Sequence, residues 1–187
     1  DWYTLMGDLD RRSLYAVRSN EGGLFSEGEQ QIALSIMSQQ QGLAMGLYTG
    51  PTRLEGTFVD QFRGNNPARM EAGMAFLDSV SDEEKSSVEW AAARASVQIG
   101  YEFSTDSSNG GPENHDSSDP LVRLIVSAMR TMKDDFQRGW TIGTLQTADD
   151  LKNQPWFKGF EGQLDQLLAS RADTKATLAS DSTQPAS

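Results

Sequence analysis

Cysteine is absent from the 187 residues, which excludes disulfide frameworks and zinc–thiolate sites. Histidine occurs once, at His115, so a Ser-His-acid triad would have to be built on that single imidazole. No apolar run approaches the roughly 18 residues of a membrane-spanning helix. Bases are scarce: 16 Lys and Arg face 27 Asp and Glu, for a formal net charge of −11. Such a chain repels a phosphate backbone, so nucleic acid is not an expected partner. Phosphate-cradling glycine motifs are missing as well, and Gly22-Gly23 and Gly110-Gly111 read as turns.

Against these absences stand 37% apolar residues, set mostly at helical spacing. Trp2, Leu5, Met6 and Leu9, continued by Leu14, Tyr15 and Val17, predict one or two helices within 2–18. Ser26-Glu27-Gly28-Glu29 has the form of a capping box, in which hydroxyl and carboxylate satisfy each other's backbone amides. Apolar pairs at 32/33, 36/37, 43/44 and 47/48 then predict an amphipathic helix over 27–48. Leu54, Phe58 and Phe62 predict a short helix closing at Gly64. Asn66-Pro67 opens another, lined by Met70, Met74 and Leu77.

Ser81-Asp82-Glu83-Glu84 is a second capping-box pattern, and with the alanine-rich run that follows it predicts one long helix over 82–103. Val122, Ile125, Met129, Met132, Phe136 and Trp140 form a stripe that predicts a helix over 120–140. Thr147 to Asp150 caps a short turn, and Trp156, Phe157, Phe160, Leu164, Leu167 and Leu168 predict a last helix over 155–170. The expected fold is all-α, an irregular bundle of about six to eight helices with a mobile polar loop at 104–118. The expected organisation is a single helical domain over 1–171 and a disordered polar tail over 172–187. The sequence begins at Asp1, which reads as a processed chain or a fragment of a larger protein. Its compartment stays open between secreted or periplasmic and cytoplasmic.

No catalytic constellation stands out. His115 lies in the polar loop beside Glu113 and Asp116, where neighbouring groups lack fixed geometry, and it reads as a solvated loop residue. The acidic pairs Glu83/Glu84, Asp134/Asp135 and Asp149/Asp150 read as surface or helix-end charge. Acids in a first helical turn complement the helix dipole without further purpose.

Residues 18–29, Arg-Ser-Asn-Glu-Gly-Gly-Leu-Phe-Ser-Glu-Gly-Glu, resemble the back half of an EF-hand loop. Gly23 falls at the sixth position, where a sharp turn is needed, Phe25 at the apolar eighth, and Glu29 at the twelfth, where a bidentate carboxylate belongs. The front half departs from the pattern, with Arg18 in place of the first acid and Gly22 at the fifth position. The resemblance implies Asn20 and Glu29 as calcium ligands. The capping box already explains Ser26 and Glu29, and a simple capped turn is the preferred reading of this stretch. No other cofactor is expected.

Partner binding has its own candidates. Met37, Met45, Met70, Met74, Met129 and Met132 sit on helical stripes, and flexible thioethers suit adaptable surfaces as well as cores. Gly42 and Gly46, one turn apart, allow close backbone approach around Met45, within the domain or in a homo-oligomer. Trp156 lies near the end of the patterned region, as an anchor for a partner would. The leading functional reading is a non-enzymatic interaction, adaptor or assembly domain with a protein partner. The alternatives are a helical domain whose degenerate EF-hand-like loop binds or formerly bound calcium, and a secreted hydrolase or lyase working through carboxylates alone.

Overall fold

The computed structural model describes residues 6–48, 56–105, 113–132 and 145–181. Among these, every regular element is helical, as expected from the spacing. In chain order the α-helices are α1 (Arg11–Ser19), α2 (Glu27–Ala44), α3 (Asn66–Asp78), α4 (Asp82–Lys85), α5 (Val88–Thr105), α6 (Pro120–Met129), α7 (Ala148–Lys152) and α8 (Glu161–Asp181). Single 3₁₀ turns occupy Arg130–Met132 and Pro155–Phe157. The chain divides into two compact units, the first formed by 1–85 with 100–112, the second by 86–99 with 113–187.

In the first unit, α1 starts where the Asp10 carboxylate accepts from the Ser13 amide at 2.8 Å. It stops at Asn20, the one described non-glycine residue with positive φ. The Ser26 capping box then opens α2 as its pattern predicts. α1 folds back on α2 over a core of Met6, Leu14, Val17, Ala33, Ile36 and Met37. Arg11 fastens this pair to later helices. Its guanidinium grips buried Glu84 of α4 at 2.6 Å, donates to the Met37 carbonyl of α2 at 2.5 Å, and lies over the Phe76 ring of α3 at 5.3 Å. Such a charge is tolerable inside only because both ions are paired and hydrogen-bonded.

The second unit centres on α6, whose Leu121, Val122, Leu124, Ile125, Val126, Ala128 and Met129 are all buried. Asp119 caps α6 through bonds from the Leu121 and Val122 amides. The other oxygen of that carboxylate accepts from Arg171 of α8 at 2.5 Å. Phe157 and Leu164 bring the 155–157 turn and α8 onto α6.

Several boundaries depart from the sequence expectation. α2 ends at Ala44, because Gly46 turns to φ +67° and the Leu47 amide bonds back to the Gly42 carbonyl. The segment expected to be a short helix ending at Gly64 is turn and irregular chain over its described residues 56–64, since Asp60 Oδ1 accepts from the Phe62 amide and fixes a local turn. The long helix over 82–103 is broken at 86–87: the Ser87 hydroxyl oxygen accepts from the Trp90 amide and starts α5 afresh. α6 tightens into 3₁₀ geometry after Met129, with the Thr131 hydroxyl on the Ala128 carbonyl. The expected continuation to 140, with Phe136 and Trp140, lies outside the described residues.

α8 begins at Glu161 rather than 155, since Pro155 opens a separate turn and Gly159 takes φ +98°. It then runs through the expected tail to Asp181, helped by good helix formers (Ala172, Lys175, Ala176), while the Thr174 and Thr177 hydroxyls donate to carbonyls one turn back. In the polar stretch at 104–118, Ser104 and Thr105 belong to α5, and 113–118 are held by hydrogen bonds rather than loose.

Candidate functional site

The 18–29 segment closes on itself. Asn20 brackets Phe25 twice: its side-chain amide donates to the Phe25 carbonyl at 2.8 Å and its Oδ1 accepts from the Phe25 amide at 2.9 Å. Gly23 supplies the left-handed turn the loop needs. Glu29 accepts from the Ser26 amide at 2.8 Å and the Ser26 hydroxyl at 2.7 Å, and these bonds hold its carboxyl below the usual range. Of the groups named as calcium ligands by the EF-hand resemblance, Asn20 Oδ1 and Glu29 Oε2 are therefore already bound within their own loop. The first turn of α2 also borders a depression open to solvent and lined by Glu27, Gly28, Gln30 and Gln31.

The far end of α2 is built differently. Arg69 of α3 donates to the Met45 carbonyl at 2.8 Å, the Gly46 carbonyl at 3.1 Å and the Asp60 carboxylate at 2.6 Å. A guanidinium here satisfies carbonyls that a helix end leaves open and complements its dipole. The bond from Arg69 keeps the Asp60 carboxyl below its ordinary range. Gly46 lies so close under this knot that a β-carbon on it would sit 2.8 Å from Asp60 Oδ1 and from the Phe62 ring. Met45 and Gly46 are buried and Gly42 is half-buried. The close approach read from the two glycines is thus made at Gly46 by side chains of the same unit.

Around that knot, apolar side chains remain uncovered. Val59 is 82% exposed, Leu43 46% and Leu47 42%. Arg69 binds residues 45, 46 and 60 together, so Leu47 and Val59, their neighbours along the chain, flank the same polar clamp. Leu24, 84% exposed, stands alone in the loop at the other end of α2. The sequence pattern places 43 and 47 on the apolar stripe of the helix and singles out neither Leu24 nor Val59. Period alone gives a face, and the two leucines were legible only as part of one.

In the second unit, Trp156 is buried, edge-on to Phe157 at 5.7 Å between ring centres. Its indole N–H is enclosed without a hydrogen-bond partner. Arg94 and Gln98 are buried on α5. Arg94 donates to Gln98 Oε1 and to the His115 carbonyl, Gln98 donates to Asp116 Oδ1, and Arg130 reaches the same Asp116 oxygen at 3.0 Å. This chain fixes the 113–118 stretch.

The acidic pairs have structural tasks. Glu83 and Glu84 pair with Arg12 and Arg11. Asp150 completes a capping box with Thr147 that opens α7. Asp134/Asp135 lie outside the described residues. No described helix is long and apolar enough to cross a membrane. In comparison with known proteins, no family model, no curated protein and no solved structure matches this chain.

Proposed function

We propose that this chain is a non-enzymatic interaction domain that takes a protein partner at the C-terminal end of α2. The observation that carries the reading is the exposure of Leu43, Leu47 and Val59 around the Arg69–Asp60 clamp. Single exposed apolar residues are ordinary, whereas several gathered on a braced support favour recognition. The clamp lowers the ordering cost of binding, since its backbone is already held. The surface is apolar and the chain carries a net charge of −11, which favours a protein over a polyanion.

Calcium binding at 18–29 is less well supported, because Asn20 and Glu29 would have to release short hydrogen bonds first. A second copy of the chain is one partner the surface would suit. The test is co-purification from the native source with the wild-type chain and with Leu43→Ser/Val59→Ser, alongside light scattering of both. Stoichiometric retention of a protein, or dimerisation, by the wild type and its loss in an equally stable variant is the expected result. A monomer that retains nothing, or a variant that binds as well as the wild type, overturns the reading.

A further inference from the structure

Methionine is the one residue type here whose side chain a mild oxidant converts from apolar to polar. The chain has seven. Met6, Met37, Met45, Met74, Met129 and Met132 are each 8% exposed or less. Met70, on α3, is the exception, with a half-buried side chain. The thioether lies on Gly100 of α5, and a β-carbon placed on Gly100 would be 3.1 Å from the Met70 sulfur and 3.6 Å from its methyl. Gly100 thus leaves room for the sulfur and little more. Partial exposure and tight packing meet on one residue.

We propose that Met70 is a modification site for hydroperoxides, and that its sulfoxide loosens the seat of α3 on Gly100. A sulfur lone pair attacks one oxygen of the peroxide, the O–O bond breaks and an S–O bond forms. The departing hydroxide or alkoxide takes up the proton left on the transferred oxygen. Sulfur loses two electrons and the peroxide is reduced to water or an alcohol. The new S=O group is a strong acceptor larger than the thioether it replaces. The Gly100 amide cannot serve it, because inside α5 that N–H already bonds one turn back. The oxygen must therefore draw in water or stay unsatisfied, and either outcome separates the two backbones.

The experiment is timed exposure of the full chain to hydrogen peroxide, with peptide mass mapping and thermal melts by circular dichroism. Met70 should gain one oxygen at least about ten times faster than the six buried methionines, the ratio expected when access sets the rate. The Tm should fall in step with that first oxidation, by about 3 °C or more. Met70→Leu keeps the volume without the reactive sulfur, and its Tm should not move over the same period. Gly100→Ala should push the thioether outward and raise the Met70 oxidation rate. Oxidation of buried methionines at the same rate, a Tm indifferent to Met70 sulfoxide, or an equal Tm loss in Met70→Leu would each overturn the proposal.

Discussion

Gly46 and Gly23 adopt nearly the same backbone, at φ +67° and +66°, yet their surroundings differ. A side chain at Gly23 meets nothing within 4 Å, whereas one at Gly46 meets the Asp60 carboxylate and the Phe62 ring. Gly23→Ala should cost only the left-handed conformation, about 1 kcal/mol. Gly46→Ala should cost more, about 2–3 kcal/mol, since it adds displacement of the Arg69–Asp60 clamp to the same backbone strain. Urea unfolding of the two variants measures the difference, and equal losses would mean the clamp yields freely. The need for a glycine near the end of α2 could be read from the sequence, because two glycines there weaken a helix for no local benefit. What approaches Gly46 could not: Asp60 and Arg69 reach it only after the chain has turned back.

Helix starts show the same division between local and distant chemistry. The boxes at Ser26/Glu29 and Thr147/Asp150 were legible because every bond lies within four residues. Ser81 also caps as its pattern predicts, accepting from the Glu84 amide, but the Glu84 carboxylate is bound by Arg11, 73 positions earlier. No spacing rule announces that pair, nor the choice of Ser87 over helix continuation. These caps also set how the protein meets acid. Hydrogen bonds from backbone amides and Ser or Thr hydroxyls hold Asp10, Glu29 and Asp150 below their ordinary pKa, and Arg69 does so for Asp60. A carboxyl depressed on folding contributes stability above its unfolded pKa, and that contribution disappears as pH falls through the lower folded value. The Tm should therefore be flat above about pH 5 and decline below about pH 4. Asp150→Asn, measured over the same series, should shallow the decline; an unchanged slope would show that this cap does not titrate with folding.

For the molecule as a whole, the helical class followed from periodicity, while the division into two units did not, since each unit is assembled from separated stretches. One global measurement bears on the ion reading. Melts in EDTA and in millimolar calcium should superimpose, because Asn20 Oδ1 and Glu29 Oε2 are already hydrogen-bonded and no bidentate carboxylate is free for the ion. A higher Tm in calcium would return the 18–29 loop to first place, with Glu29→Gln as the next variant. Helix α5 carries a different lesson. Its residues up to Ile99 belong to one unit and those from Gly100 to the other, yet the hydrogen-bond ladder runs without interruption from Val88 to Thr105. A helix that loses half its length loses much of the cooperative advantage of the rest. Fraying on either side of residue 100 therefore weakens the other side of the helix too, and a chain cut after residue 85 would lose the glycine that seats Met70.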